Sequence, residues 1–444
     1  MLSKVYKISI LGASIILASC SLFQKEQIPL EGERIGVLEG QNSLYSDYAV
    51  SGYSIELPPM VKNNGWYQSG GNSEHRLTHL MAGSNFKKKW SASFGSGISR
   101  GDYLMASPVV ANGVVFTIDA DAEIRAFRLD NGERIWKKKI KPALKTQNDV
   151  SMKGAGLAVS AMQKTVFATT GFGMVYAFDM QTGKRIWKFD AEAPIRIAPT
   201  IGGGHVFVQT VDNALIALNA VSGEEAWRYK TSNEQTVIVG GASPAYNMEK
   251  DVVIAAFSNG ELSAFKTSTG SPLWDYFLAP KVRTNSLSSI NAIKSNPIID
   301  GEVVYAAGTN NILAAIDLRN GMKLWEKEIG TSNPMFLVRN YLFVLNNNFE
   351  LVALNAQNGN IYWASKLSSG KDLNEKVGAF AAGPILVNNR LIVATSNGYA
   401  FAVSPYDGKI IASTELDNGV EVSPIVADGN IILTTNNAKL FVYE

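Results

Sequence analysis

A spaced pattern of small and large apolar positions recurs along the chain. In each copy an Ala that precedes another apolar residue is followed six residues later by Gly, and four residues after the Gly comes a large apolar side chain. That last residue is Trp in six copies; the seventh ends in Ile411-Ala412, and we assign Ile411 to the lost Trp. Fixed offsets of this kind indicate a repeat architecture. The copies begin at Ala126, Ala177, Ala217, Ala264, Ala315, Ala353 and Ala402.

Residues 107–140 show what one repeat encodes. Short apolar runs alternate with turn signals such as Asn112-Gly113 and Asn131-Gly132, which predicts four antiparallel strands. Pro108 stands at the start of the first run, where the missing N–H of proline does least harm. The other repeats keep this plan and show no long helical periodicity. Four-stranded units with a period of about 45 residues indicate a β-propeller.

The two ends of the repeat region predict a divided eighth blade. Residues 421–444 supply three strands and no fourth. Trp90 lies in a strand-like stretch that lacks the motif's Ala and Gly at their usual distances before the Trp. Joining the two pieces closes the ring and removes exposed sheet edges. We therefore predict an all-β fold, an eight-bladed β-propeller of four-stranded antiparallel blades whose last blade is closed by an N-terminal strand. This fold forms one domain over residues 63–444.

Each residue type in the motif has a steric reason. A small Ala in the third strand lets the neighbouring blade approach closely. Gly makes the turn into the fourth strand, since it tolerates positive φ. The Trp covers the gap between neighbouring blades with a large apolar surface. The motif therefore predicts structure, and it places any function in the loops outside it.

The start of the chain has the features of an export signal. Lys4 and Lys7 precede an apolar run over residues 8–18 that is too short to span a bilayer, so residues 1–19 are predicted to be removed. Leu17-Ala18-Ser19-Cys20 resembles the bacterial lipobox, which implies lipidation at Cys20. The alternative is an ordinary secretory signal with a stray cysteine. In lipoprotein sorting, Ser21 rather than Asp after the Cys implies the outer membrane.

Residues 20–62 differ from the repeats. They show weak periodicity with scattered Gly and Ser, and they include Pro29, Pro58 and Pro59. We predict a lipid-anchored flexible tether that links the acyl chains to the propeller.

Charge and cysteine content exclude several functions. Lysine and arginine number 41 against 39 acidic residues, a net charge of +2, so nothing points to nucleic acid. Cys20 is the only cysteine, and lipidation leaves no thiol for disulfides, catalysis or metals. His75 and His79 lie in a motif-like stretch that begins at Asn64; either they belong to a loop docked on the propeller, or they are two ligands of a metal site without a third nearby. We expect the docked loop.

The repeats resemble the quinoprotein-type, or PQQ-like, propeller repeat. Together with the lipobox, the tether, the Trp66–Gly71 motif and the split closing blade, they resemble the BamB family of outer-membrane β-barrel assembly lipoproteins over nearly the whole mature chain. The resemblance implies a non-catalytic scaffold on the periplasmic face of the outer membrane. It also implies that this scaffold binds the POTRA domains of BamA and other Bam subunits, and helps hand unfolded outer-membrane proteins to the insertase.

In that family the contacts come from loops between neighbouring blades. The matching positions lie in residues 236–240 and 291–294, of which we select the residues that end this paragraph. Val239 stands where enterobacterial members carry Arg, and Ala292 and Lys294 stand where they carry acidic residues, so the charged contacts differ here. The alternative for the first loop is a first strand that begins early. The selected residues are Val237, Ile238, Val239, Asn291, Ile293 and Lys294.

A PQQ-dependent dehydrogenase is the competing enzyme class, since it shares the repeat. Members of that class use an adjacent cysteine pair and a calcium site, whereas Asp119, Asp121 and Asp212 here sit at turn positions where Asp is ordinary. We therefore expect no catalytic residues, no metal and no cofactor. A third class is a propeller that docks another envelope partner, which the fold alone allows.

Overall fold

Eight four-stranded antiparallel sheets form the described part of the protein. The structure, a computed structural model, describes residues 44–50, 52–83, 86–99, 102–142, 153–232, 240–278, 292–367 and 380–444. The predicted fold is confirmed, including the division of the eighth blade. Its strand order is β1-β32-β31-β30, where β1 is Lys88–Ser93.

The first four blades follow the order of the chain. Blade one comprises β2 Val109–Ala111, β3 Val114–Ile118, β4 Glu123–Arg128 and β5 Arg134–Lys139. Blade two comprises β6 Gly154–Ser160, β7 Thr165–Thr170, β8 Met174–Asp179 and β9 Arg185–Asp190. Blade three comprises β10 Thr200–Gly202, β11 His205–Gln209, β12 Ala214–Asn219 and β13 Glu225–Lys230. Blade four comprises β14 Ala245–Asn247, β15 Val252–Ala256, β16 Glu261–Lys266 and β17 Pro272–Phe277.

The remaining blades repeat this order, except that β1 completes the last. Blade five comprises β18 Ile298–Asp300, β19 Val303–Ala307, β20 Leu313–Asp317 and β21 Lys323–Lys327. Blade six comprises β22 Phe336–Val338, β23 Tyr341–Leu345, β24 Glu350–Asn355 and β25 Ile361–Lys366. Blade seven comprises β26 Ala381–Val387, β27 Arg390–Thr395, β28 Tyr399–Val403 and β29 Ile410–Glu415. Blade eight comprises β30 Ile425–Ala427, β31 Asn430–Thr435, β32 Lys439–Tyr443 and β1.

Each motif Trp docks on the next blade. In blade one, Trp136 stands directly opposite Ala126, and its indole covers Gly183 in the turn between the third and fourth strands of blade two. Its Nε1 donates a hydrogen bond to the carbonyl of Met180 in the same turn, at 3.0 Å. The same bond, at 2.7–3.1 Å, is made by Trp90, Trp136, Trp187, Trp227, Trp274, Trp325 and Trp363.

Two separate constraints require glycine at the turn position of the motif. Their φ angles lie between 66° and 77°, in the left-handed region. A Cβ on any of them would also come within 2.5–2.9 Å of the indole of the preceding blade. Turn geometry and blade docking therefore depend on the same residue. The glycines are Gly132, Gly183, Gly223, Gly270, Gly321, Gly359 and Gly408.

The junction between blades seven and eight lacks this contact. Pairing of β28 with β29 sets Ala402 opposite Ala412, so Ala412 holds the Trp position and our assignment of Ile411 was wrong. In blade eight no turn joins β32 to β1, and so no turn glycine is present for an indole to cover. Within blade eight, the Phe86 ring stacks on Tyr443, with ring centroids 4.5 Å apart.

A segment over residues 61–82, which we call the strap, crosses the first strands of the blades. First strands have one unpaired edge, and the strap supplies acceptors to it. The backbone N–H groups of blades one to five donate to strap oxygens at 2.7–2.9 Å, four of them backbone carbonyls and one the Oε1 of Gln68. The donors are Val110, Val159, Ile201, Tyr246 and Ile299.

The strap also reaches the last two blades. The Leu80 N–H donates to the carbonyl of Leu386 in blade seven, and Asn63 Nδ2 donates to that of Val426 in blade eight. The turns between first and second strands lie beside it, since Asn388 and Asp428 both donate to strap carbonyls. The strap therefore covers the end of the propeller that carries these turns, which we call the strap face. The opposite end, the loop face, carries the links between consecutive blades.

Both strap histidines hold backbone groups. His75 is buried, and its Nδ1 donates to the Pro297 carbonyl at 2.8 Å, which fixes the tautomer. His79 Nδ1 donates to the Pro58 carbonyl, and its Nε2 accepts the Asn389 N–H. The expected docked loop is confirmed, and the described residues contain no group of three or more His, Cys, Asp or Glu side chains that could hold a metal ion.

Residues 45–50 and 52–62, which belong to the predicted tether, also contact the blades. Asp47 pairs with Lys327 at 3.0 Å, and its carboxylate accepts the N–H of Ile361. Ile55 is buried, and the Glu56 N–H donates to the Tyr341 hydroxyl. This part of the chain is held against blades five and six.

Gly270→Ala should lower the free energy of unfolding by about 2–4 kcal/mol, because it combines a left-handed Ala with a Cβ 2.5 Å from Trp227. Gly113→Ala is the matched control: its φ is 72°, but a Cβ there meets nothing within 4 Å, so about 1–2 kcal/mol is expected. Urea unfolding measures both. Equal losses would contradict the role of the indole contact.

His75 should make the protein less stable in acid. Burial lowers the pKa of His75 from 6.5 to about 4, so the folded state resists a proton that the unfolded state accepts. The stabilisation is complete above pH 6.5 and is lost as the pH falls towards 4, by about 3 kcal/mol. His75→Asn keeps a donor for Pro297 and should flatten this pH dependence. An unchanged profile in urea melts at pH 7 and pH 4.5 would contradict the assignment.

Candidate functional site

The predicted interface residues divide into two groups. Val237, Ile238, Val239 and Asn291 lie outside the described residues, as does the lipidation residue Cys20. Ile293 and Lys294 are described, and both lie in the link that leads into β18. The structure therefore shows the environment of residues 292–294, which belong to the second predicted loop.

Ile293 faces the protein interior. Its side chain is 1% exposed and packs in the apolar cluster between blades four and five. Its backbone also forms a bridge with Gly308. Ile293 therefore holds the link in place and offers no side-chain surface to a partner.

The environment of Lys294 differs from that of Ile293. It is partly buried and lines a small cavity, and burial lowers the pKa of its ammonium group. It makes no ion pair or hydrogen bond with the residues that the structure describes. Lys294 is thus a partly desolvated cation without a counter-charge in the described chain.

The cavity lies on the loop face where blades three, four and five meet. We call it the interblade cavity; its volume is about 40 Å³. The links before β10, β14 and β18 line it, as do the turns between the second and third strands of blades three and four. No acidic residue lines it among the described residues, whereas Arg196 and Lys294 both do.

Polar groups at the cavity floor are partly satisfied. Gln209 Nε2 donates to the Ala256 carbonyl at 2.9 Å, but its buried Oε1 has no partner among the described residues. Asn213 Oδ1 accepts hydrogen bonds from Ser258. The cavity is thus a cationic recess with a polar floor, and its charge comes from Arg196 and Lys294.

The sequence contained a signal for Arg196 that we did not use. Arg196 stands three residues before Pro199, and Lys294 stands three before Pro297. Gly241 holds the same position before Pro244, and it lies between them in the cavity wall. One position of the repeat therefore supplies two basic residues from different blades to the lining of one cavity, and the blade between them has glycine at that position.

A second cavity, of about 190 Å³, shares Lys294 and Gly241 with the first. Strap residues line it, including Trp66, whose buried Nε1 has no partner in the described chain. Glu421 also lines it, and burial raises the pKa of this carboxyl group.

The acidic residues considered for a calcium site have structural roles. Asp119 accepts the N–H groups of Ser96, Asp121 and Glu123 and so closes a turn. Asp121 pairs with Lys153 at 2.9 Å, and Asp212 pairs with Lys230. Each carboxylate is engaged by its own turn or by a neighbouring lysine.

Taken together, the Trp-docked blades define a PQQ-like repeat propeller whose loop face carries a recess lined by Arg196 and Lys294. Among the described residues, no helix is long and apolar enough to cross a membrane. The chain belongs to the family of outer membrane protein assembly factor BamB, whose model matches residues 120–365 and 350–444.

The chain is similar to individual proteins of more than one kind. The chain is 27% identical over 279 residues to the outer membrane protein assembly factor BamB of Yersinia pestis, covering 62% of this chain and 70% of that protein. It is similar to the crystal structure of BamB from Moraxella catarrhalis, with a TM-score of 0.66, 16% identity and coverage of 80% and 100%. The quinohemoprotein alcohol dehydrogenase of Comamonas testosteroni also has a TM-score of 0.66, at 15% identity and coverage of 86% and 81%. The two structural likenesses show the fold alone.

Proposed function

We propose that this protein is a non-catalytic scaffold lipoprotein of the outer-membrane β-barrel assembly complex. Family membership carries the proposal, because the relatives are named as assembly factors. The loop face binds the POTRA domains of BamA through residues 236–240 and through Asn291 and Lys294 of the second loop, where buried Ile293 holds the backbone in place. Other Bam subunits join the same assembly. In this role the propeller helps deliver unfolded outer-membrane proteins for insertion.

Two structural features support a docking role. The seven indole contacts join successive blades, so the links between blades are held by a well-packed frame. The strap occupies the edges of the first strands at the opposite end, which leaves the loop face as the end that presents the links. The cationic recess lies on that face, and its lining includes Gly240 and residues 292–294.

Ile238→Asp should reduce co-purification with BamA after detergent extraction, because it puts a charge into an apolar contact loop. Val221→Asp is the matched control, since Val221 is an exposed apolar residue in a turn on the strap face. It should bind as the unaltered protein does. Undiminished co-purification of a folded Ile238→Asp protein would refute the interface. Capture of a different envelope protein in place of BamA, or micromolar binding of PQQ with Ca²⁺, would refute the scaffold role itself.

Cys20→Ser should move the protein from the membrane fraction to the soluble fraction, because no thiol remains for acylation. Ser21→Asp is the control: it should stay membrane-bound but sediment with the inner membrane. Immunoblots of separated membranes measure both. Membrane retention of Cys20→Ser would contradict the anchor.

A further inference from the structure

We propose that one side of the propeller rim is a membrane-binding surface that contacts the anionic headgroups of phospholipids. This surface, which we call the basic rim, consists of the exposed basic residues on the fourth strands of blades eight, one and two, which are β1, β5 and β9. The inference goes beyond the proposed function. It rests on the outer-membrane location in that proposal and not on the binding of BamA.

The three strands of the basic rim are unusually rich in positive charge. They carry eight basic residues, all exposed, and one acidic residue, Asp190. The other five fourth strands together carry five basic and four acidic residues, so their charge is mixed. The eight basic residues are Lys88, Lys89, Arg134, residues 137–139, Arg185 and Lys188.

Blade docking sets these strands beside one another. Trp90 of β1 docks on blade one and Trp136 of β5 docks on blade two, each through its indole hydrogen bond. The Arg125 guanidinium of blade one also donates to the Ser93 carbonyl at the end of β1, at 3.3 Å. The fourth strand is the edge of each sheet away from the first strand. Basic residues from three successive blades therefore share one side of the rim.

The surplus of positive charge in this region does not depend on any single contact. Residues 86–190, which contain β1 and blades one and two, carry 17 basic and 9 acidic residues, whereas the rest of the chain carries 24 and 30. This count includes the stretches between these strands that lie outside the described residues. Residues 20–43 carry four acidic and two basic residues, which is too small an excess of acid to neutralise the surplus.

The acidic residues beside β5 are each shared between two cations. Glu123 pairs with Arg125 at 2.6 Å and with Lys137 at 3.7 Å. Asp121 likewise pairs with two lysines, at 2.9 Å and 3.5 Å. Each of these groups of three charges keeps a net positive charge, so the ion pairs of blade one do not cancel the charge of the basic rim.

The composition of the basic rim favours a bilayer over a protein partner. Six of its eight basic residues are lysine, which is depleted in protein interfaces and common in segments that bind anionic lipids. Ile135 and Ile186, which stand among these cations, are 41% and 52% exposed, so they can enter the headgroup region. Leu273 and Leu324 are equally exposed on β17 and β21, where the charge is mixed, so it is the charge that distinguishes the basic rim.

Vesicle binding by the full mature chain with Cys20→Ser tests the inference, because acyl chains then contribute nothing. This chain keeps every described strand and the strap. We expect it to bind vesicles that contain phosphatidylglycerol, to be released by high salt, and not to bind vesicles of phosphatidylcholine alone. Replacing residues 137–139 together (Lys137→Gln, Lys138→Gln and Lys139→Gln) should lower the partition coefficient at least about tenfold.

A second triple variant removes the same charge elsewhere. Lys250→Gln, Lys366→Gln and Lys409→Gln together change exposed lysines of blades four, six and seven, and should leave the partition coefficient unchanged. Equal losses in the two triple variants would show a response to net charge alone and would overturn the inference. Full binding by the variant of residues 137–139, or equal binding to neutral vesicles, would also overturn it.

A fluorescent label reports which part of the rim meets the bilayer. With Cys20 replaced, Ser91→Cys supplies a single thiol on β1, directly after Trp90. Ala364→Cys is the matched control, since it follows Trp363 in the same way in blade six. Vesicles with phosphatidylglycerol should shift the emission of an environment-sensitive label to the blue at residue 91 but not at residue 364. Equal shifts at both positions, or a shift at residue 364 alone, would contradict the basic rim.

Co-purification with BamA separates this inference from the proposed function. The variant of residues 137–139 should co-purify with BamA as the unaltered protein does, because the basic rim lies outside the predicted contact loops. Loss of BamA with vesicle binding retained would assign the basic rim to a protein partner and overturn the membrane inference. Absence of BamA binding by the unaltered protein would refute the proposed function and leave the vesicle result standing.

Discussion

The docking of each motif Trp on the next blade is the interaction on which this structure depends. Each indole covers a turn glycine and donates a hydrogen bond to a backbone carbonyl of the same turn. An apolar contact and a hydrogen bond therefore both hold this turn against the indole. Since the contact is made by seven blades in turn, it fixes the angle between neighbours around most of the ring. The conserved spacing within the chain follows from this geometry, and the links between blades remain free to vary.

The ring closes where this contact cannot form. Between blades seven and eight there is no turn glycine, Ala412 takes the Trp position, and closure depends on other elements. Strand β1 pairs with β32, the Phe86 ring stacks on Tyr443, and the strap ties both blades to the rest. The absent Trp is thus a consequence of building one blade from two distant parts of the chain.

The two ends of the propeller have different roles because the strap covers only one of them. At the strap face, polypeptide satisfies the free edges of first strands in blades one to five. At the loop face, residues three positions before the first-strand prolines gather around the recess. Arg196 and Lys294 both line the recess, as does Gly241 of the blade between them. The position three residues before the first-strand proline therefore holds glycine in blade four and a basic residue in blades three and five.

The local sequence pattern determined the fold. It predicted the alternation of strands, the motif glycines with positive φ, and the place of Trp90 in blade eight. These features were predictable because each depends on short-range sterics or on fixed spacing. The lost Trp corresponds to Ala412, four residues after Gly408, and the strand register confirms this position in place of Ile411. Tertiary packing decided the rest. Ile293 looked like a surface residue but is buried between two blades. The strap has no periodicity because its hydrogen bonds are with seven different blades rather than with itself. Only the packed blades bring Arg196 and Lys294 to the lining of one cavity, because the two residues are far apart in the sequence and belong to different blades.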